Sequence, residues 1–167
     1  GFTDYGTSKL FSEFYNEFIY FDNMLYHFEG NYWKPYPDNY ILHKYLANKF
    51  NKRLLQVFYK LQSRFTQEQL SFYYKNIDKL KFRNRRECLI KDILGFYIIY
   101  NDIFDFKPHL LGFPNGVLDI RNGEFRQGEK EDYISMLTNY EYKNVCLIIF
   151  LNCIISKLIS SLIIRMS

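Results

Sequence analysis

Apolar side chains recur at helical spacing through most of the first hundred residues. Leu10, Phe11, Phe14, Tyr15, Phe18 and Ile19 form one stripe, which predicts a helix over 8–20 with Thr7 or Ser8 placed to cap its start. Residues 24–34 break that period. Leu25-Tyr26-His27-Phe28 and Tyr32-Trp33-Lys34 flank Glu29-Gly30-Asn31, a hairpin pattern closed by Pro35 and Pro37. Within it Trp33 reads as a packing anchor and His27 as a strand histidine. Asp38 or Asn39 then starts a helix that runs to about Leu61. Ile41, Tyr45, Leu46, Phe50, Leu54, Phe58 and Leu61 make its apolar stripe, and Lys44, Lys49, Lys52, Arg53 and Lys60 occupy its other faces. Thr66-Gln67-Glu68-Gln69 fits a capping box for a third helix carrying Leu70, Phe72, Tyr73, Ile77 and Leu80. A fourth helix, over 87–100, turns Leu89, Ile90, Ile93, Leu94, Tyr97 and Ile98 inward, and 101–108 is a loop.

The period changes again over 111–125. Asn115-Gly116 and Asn122-Gly123 are turn pairs in which both central residues suit positive φ, and Val117, Leu118 and Ile120 form a short strand between them. The stretch reads as a β-meander. A polar connector (127–131) and an extended or turning segment (132–137) follow. These patterns predict an α+β fold, mainly α-helical, with one small aromatic β-hairpin and one Asn-Gly β-meander. The domain occupies 1–143.

Residues 145–164 are almost wholly apolar, long enough to span a bilayer. Asn152, Ser156, Lys157, Ser160 and Ser161 interrupt the run, and Leu151, Ile154, Ile155, Leu158, Ile159, Leu162 and Ile163 form a helical stripe opposite them. A mid-span lysine is costly in lipid, which favours an amphipathic helix over 144–167 packed on the domain or on a partner.

Composition changes this picture little. Apolar residues make up 48% and charged residues 24% of the 167, a globular balance with no disorder signature. Aromatic content is 20%, with 16 Tyr and 17 Phe. Phe, Tyr, Ile, Asn and Lys share A/T-rich codons, so base composition explains the excess more simply than a stacking surface. The net charge of +4 permits nucleic-acid contact without requiring it. Charge concentrates at Lys79, Lys81, Arg83, Arg85 and Arg86, expected to join two helices; such a run either contacts phosphates or is a solvated junction. Cys88, Cys146 and Cys153 are scattered, not at metal spacing, and read as reduced, partly buried thiols of an intracellular protein. The chain opens on Gly1 without a Met, which suggests a fragment.

The phrase Phe113 to Phe125, followed by Glu131-Asp132-Tyr133-Ile134 and Tyr140-Glu141-Tyr142, resembles the helicase-associated domain of viral primase–helicases. That domain lies between a primase and a superfamily 3 helicase in poxviruses, giant DNA viruses and many phages and plasmids. Asp4-Tyr5-Gly6 opening a helix, and an aromatic strand with Trp33-Lys34 before a long helical region, extend the resemblance to about 4–142. It implies a non-catalytic domain acting in DNA replication, one that helps assemble a homo-oligomeric ring and guides DNA to a downstream ATPase. ATP and Mg would belong to that parent helicase domain, with no cofactor in this chain. The partners implied are DNA and the downstream helicase domain, and the location is the host cytoplasm or a viral replication site. Asn115, Gly116, Val117, Asp119, Gly123 and Trp33 carry the motif structurally. Asn115 and Gly116 would set the turn, and Asp119 would fix a neighbouring backbone group.

No chemistry in the residues competes with this reading. The sequence has no Gly-x-x-x-x-Gly-Lys-Ser/Thr loop, no Gly-x-Ser-x-Gly elbow, no His-Glu-x-x-His and no Cys-x-x-Cys. Asp102 and Asp105 lack a third ligand, and His43 and His109 are isolated. The alternative is a membrane-associated or protein-interaction module that uses the apolar tail.

Overall fold

The computed structural model describes residues 3–143. The tail over 144–167, with its expected amphipathic helix, lies outside the described residues. The fold is α+β and mainly helical, with two three-stranded antiparallel sheets.

The helix expected over 8–20 is two elements. Helix α1 (Asp4–Phe14) begins earlier, capped by Thr3, whose Oγ1 accepts the Gly6 N–H at 3.0 Å. Thr7 and Ser8 therefore lie buried inside the helix and do not cap it. Tyr15 leaves the helix, and Phe18–Phe21 is strand β1. The cause is the next pair of residues. Asp22 and Asn23 take φ of 48° and 58° and turn β1 back onto β2 (Met24–Phe28), with Phe21 opposite Met24. Both positive-φ positions of a two-residue hairpin are thus filled without glycine. Once that turn forms, Phe18-Ile19-Tyr20-Phe21 gains cross-strand partners, which suit aromatic and β-branched residues. Strand β3 (Trp33–Tyr36) completes the sheet in the order β1-β2-β3.

Helix α2 (Tyr40–Lys44) passes through a π-helical segment (Tyr45–Phe50) into α3 (Asn51–Leu61), one helical rod over the span that the apolar stripe predicts. The Asp38 carboxylate accepts the Tyr40 N–H at 3.1 Å at its start. Helix α4 (Gln67–Asp78) opens on the expected capping box: Thr66 Oγ1 accepts the Gln69 N–H at 3.3 Å, and Gln69 Oε1 accepts the Thr66 N–H at 2.9 Å. Thr66→Ala removes half of that exchange, and a lower urea midpoint corresponding to about 1 kcal/mol is the expected result.

The basic run is not a loop. Lys79–Lys81 is a single 3-10 turn, Phe82 is extended, and α5 (Arg83–Tyr97) starts four residues ahead of the expected helix. Two side-chain contacts explain the earlier start. Arg83 Nε pairs with Glu87 at 2.8 Å one turn on, and Arg86 Nη1 donates to the carbonyls of Leu80 and Lys81 at 2.9 and 2.6 Å. Past the helix, Ile98 bridges Tyr20 in parallel, so α5 feeds the edge of the first sheet.

The core lies between α1, the α2–α3 rod, α5 and β1–β2. Phe11, Leu42, Leu46, Phe50, Leu89 and Ile93 are fully enclosed there. Buried polar groups are matched inside it: Asn51 Nδ2 donates to the Ile77 carbonyl at 2.9 Å, and the Tyr97 hydroxyl donates to the Tyr15 carbonyl.

The meander forms as β4 (Leu110–Phe113), β5 (Gly116–Asp119) and β6 (Glu124–Arg126). Its turns differ from the expected pairs. Phe113 faces Gly116, so the loop residues of the first turn are Pro114 and Asn115, and Asn115 does not take a positive φ. Pro114, with φ fixed near −65°, occupies the first loop position and sets this geometry. Gly116 is needed for space: a Cβ there would stand 2.5 Å from the Arg126 carbonyl oxygen. The second turn spans 120–123, between Asp119 and Glu124, and only Gly123 takes a positive φ, of 72°.

The two sheets are joined through the β2–β3 turn. Asn31 Oδ1 accepts from Gln127 Nε2 at 2.6 Å and from the Gly128 N–H at 3.0 Å, and Asn31 Nδ2 donates to the Pro114 carbonyl at 3.2 Å. Next to it, the Trp33 N–H donates to Ile134 at 2.7 Å and its Nε1 donates to Lys130 at 2.9 Å.

Candidate nucleic-acid interface

The five basic residues of the α4–α5 junction fall into two groups. Arg85 and Arg86 face the protein. Arg85 Nη1 pairs with Asp4 at 2.6 Å, tying α5 to the start of α1, and its side chain is 23% exposed. Arg86 caps the 3-10 turn and donates from Nε to His43 Nδ1 at 3.3 Å. Burial, and then the Arg86 guanidinium, hold His43 below its ordinary pKa, which suits an accepting ring nitrogen. Lys79, Lys81 and Arg83 face solvent. Lys79 Nζ reaches Asn76 Oδ1 at 3.4 Å, Lys81 pairs with Asp78, and Arg83 pairs with Glu87. Exposed pairs of this kind are worth at most about 1 kcal/mol and exchange readily for a phosphate.

Lys79 and Lys81 also line a groove of about 660 Å³ between α3 and α4. Leu55 forms one wall, Phe72, Tyr74 and Lys75 form the other, and Asn51 and Ile77 lie at the base. Phe72 is 54% exposed. Three ammonium groups beside exposed aromatic rings are what single-stranded nucleic acid uses: cations for the backbone, ring faces for bases. The period of α4 gives no warning of this, because Phe72 reads there as part of the apolar stripe.

The motif residues of the meander build structure. Asn115 grips the chain downstream, its Nδ2 donating to the Tyr142 carbonyl at 2.9 Å and its Oδ1 accepting the Tyr142 N–H at 2.8 Å. Phe125 and Tyr142 stack with centroids 4.4 Å apart, and Phe113 packs edge-on to both. Val117 is fully buried. Asp119 Oδ1 accepts the Arg121 N–H at 3.0 Å, and both its oxygens take the Arg121 guanidinium, at 3.0 and 2.6 Å. Those bonds hold its carboxyl at about 2.

The family described as "D5 N terminal like" matches residues 8–157, nine-tenths of the chain. The chain belongs to the D5 N-terminal-like family. A protein of Invertebrate iridescent virus 3 named "Putative helicase 121R" is 24% identical over 176 aligned positions, covering 84% of this chain and 19% of that relative. One from Acanthamoeba polyphaga mimivirus, named "Putative helicase L207/L206", is 50% identical over 38 positions, which is 23% of this chain and 4% of the relative. This D5 N-terminal-like chain therefore spans less than a fifth of the length of either relative. The resemblance drawn from the 113–125 phrase points to the same family.

Several residues of this D5 N-terminal-like fold gave no functional signal in the sequence. Asp105, dismissed as a metal ligand, is a backbone anchor: its carboxylate accepts from the Ser135 N–H at 2.9 Å and from Ser135 Oγ at 2.5 Å. Asp132 is buried and holds Arg126 through two bonds of 2.7 Å. His27 is buried between Glu29 and Tyr45. Cys88 is exposed and free, not partly buried; Cys146 and Cys153 lie outside the described residues. Among the described residues no helix is long and apolar enough to cross a membrane.

Proposed function

We propose that the chain is the non-catalytic helicase-associated domain of a viral-type DNA primase–helicase, acting in DNA replication. The observation that carries this reading is the family match over 8–157 together with helicase-named relatives in two large DNA viruses. In this reading the domain stands before a ring ATPase in the same polypeptide, takes part in assembling the homo-oligomeric ring, and passes a single DNA strand toward it. ATP and Mg are held by the ATPase. The setting is the cytoplasm or replication site of an infected cell. The DNA path follows the α3–α4 groove, with Lys75, Lys79 and Lys81 on the phosphates and Phe72 under a base; Arg83 extends it, while Arg85 and Arg86 hold the junction in shape.

The test is the salt dependence of binding between the full chain and a fluorescent oligothymidylate. Replacing Lys75, Lys79 and Lys81 by Gln is expected to lower the slope of log K against log salt by about 2, since each phosphate contact on a single strand contributes about 0.7. Phe72→Ala is expected to weaken binding by about 1–3 kcal/mol at every salt concentration and leave the slope alone. An unchanged slope in the lysine variant removes the groove from the DNA path.

A further inference from the structure

A second cluster of cations is carried by β3, α2 and the π-helical segment. Lys34 from β3, Lys44 from α2 and Lys49 from the π-helical segment surround a cavity of about 340 Å³ whose lining includes one carboxylate, Glu29. Unlike Arg83 and Arg85, Lys34 and Lys44 make no ion pair among the described residues. His27 and Tyr45 are buried at the inner end, and Tyr36 and Asn48 complete the lining.

The polar groups at the inner end form one connected network. Lys49 Nζ donates to the Tyr45 hydroxyl at 2.7 Å and lies over that ring, 3.9 Å from its centroid. Tyr45 and His27 Nε2 are 2.8 Å apart, His27 Nδ1 and Glu29 Oε1 are 3.0 Å apart, and the Tyr36 hydroxyl donates to the same Oε1 at 2.7 Å. A lysine has only donors and a carboxylate only acceptors, so Lys49 feeds the network and the carboxylates of Glu29 and Glu17 accept from it. Burial raises the Glu29 carboxyl, but the hydrogen bonds from Tyr36 and His27 outweigh it and keep the group ionised. Burial, then the Glu17 carboxylate, keeps the Tyr45 hydroxyl protonated. This network is therefore not a nucleophile with its base; it fixes the ammonium of Lys49 at the cavity. The π-helical segment is part of the same device, since it carries Tyr45, Asn48 and Lys49 together on the wall, and such segments recur at functional sites.

We propose that this cavity binds a phosphate ester, whose oxygens are taken by the ammonium groups of Lys34, Lys44 and Lys49 and by the Asn48 amide. Three ammonium groups, against the Glu29 carboxylate in the lining and the Glu17 carboxylate beside Tyr45, leave a net positive charge that complements a phosphate ester. The volume, at the small end of ligand pockets, admits one nucleotide-sized group, and Tyr36 offers a ring beside it. The phosphate can come from a free nucleotide or from a nucleic-acid backbone. The inference does not rest on the α3–α4 groove, which shares no lining residue with this cavity.

The experiment titrates the full chain with dTMP and, separately, with a short oligothymidylate, reading affinity by calorimetry and the His27 ring signals by NMR. The variant is Lys34→Gln with Lys44→Gln, two exposed side chains whose loss leaves the buried network intact. If a free nucleotide is the ligand, dTMP shifts the His27 signals and the double variant binds it about tenfold or more weakly. If a backbone phosphate is the ligand, only the oligothymidylate shifts those signals, and the same variant loses about tenfold or more while Lys75, Lys79 and Lys81 are untouched. His27 signals unmoved by either probe, or affinities equal in variant and parent, overturn the proposal. Oligothymidylate binding lost on changing the groove lysines but unchanged in the double variant, with no dTMP binding, is failure of this site alone; the opposite pattern is failure of the groove alone.

Discussion

Asp132→Ala is expected to lower the unfolding free energy of the domain by about 3–5 kcal/mol, measured as the urea midpoint at neutral pH. The carboxylate is 4% exposed, takes two 2.7 Å bonds from Arg126 and accepts the Glu129 N–H at 2.9 Å. Removing it strands a guanidinium that is itself mostly covered and frees the turn that carries Lys130, the acceptor for the Trp33 indole. The loss is larger than the net worth of the pair, because the half-buried Arg126 stays behind with only its bond to the Gln127 carbonyl. The effect depends on pH with a definite sign. Burial pushes the Asp132 carboxyl up, but the Arg126 bonds and the Glu129 N–H outweigh it and hold the group below its ordinary value. A depressed folded pKa means stability present above the ordinary carboxylate range and lost as pH falls through the lower folded value. The parent protein should thus destabilise below about pH 4 more steeply than Asp132→Ala, and acid curves of equal slope would show that Asp132 is not part of that transition.

Phe50→Ala is expected to cost about 3–5 kcal/mol in the same measurement. Phe50 is fully buried at the end of the π-helical segment, with ring centroids at 5.3 Å from Phe11, 6.0 Å from Phe14 and 6.3 Å from Tyr15. The cavity would open between α1 and the rod, where stiff aromatic rings collapse poorly into space. Phe50→Leu keeps most of the volume, and a loss well under half that of alanine is expected. Equal losses for the two variants would show that the edge-on aromatic geometry matters more than the filled volume.

The sequence was most legible where local rules act alone. The Thr66 capping box is set by side chains three residues apart, and the apolar stripe from Ile41 to Leu61 marks one rod. The misplaced elements depend on contacts that spacing cannot express. Phe18-Ile19-Tyr20-Phe21 continues the stripe of α1 in period and becomes a strand because Asp22 and Asn23 accept positive φ. The start of α5 depends on Arg86 reaching back to carbonyls of the preceding turn. In the meander, Asn115-Gly116 has the composition of a positive-φ pair, but Pro114 moves the turn by one residue and leaves Gly116 to solve a packing problem. Site residues follow the same division. The charge of 79–86 is plain in the sequence; that Arg85 and Arg86 are committed to Asp4 and His43, while Lys79 and Lys81 are displayed beside Phe72, is a tertiary fact. The joining of Lys34, Lys44 and Lys49 around Tyr45 needs a β-strand, a helix and a π-helical segment to converge, and none of those distances is visible along the chain.

The clamp at Asn31 has a consequence for how the chain assembles in time. Its bonds to Gln127, Gly128 and Pro114 join residues 83–97 positions apart, and Gly128 has no room for a side chain because a Cβ would lie 2.3 Å from the Asn31 carbonyl oxygen. Contacts of such separation pay their loop-closure entropy before they return any energy. On a ribosome the first sheet and the α2–α3 rod are made long before the segment that locks the β2–β3 turn. The order of synthesis therefore leaves the aromatic sheet unlatched until the meander emerges, and completion of the domain is timed by its last quarter.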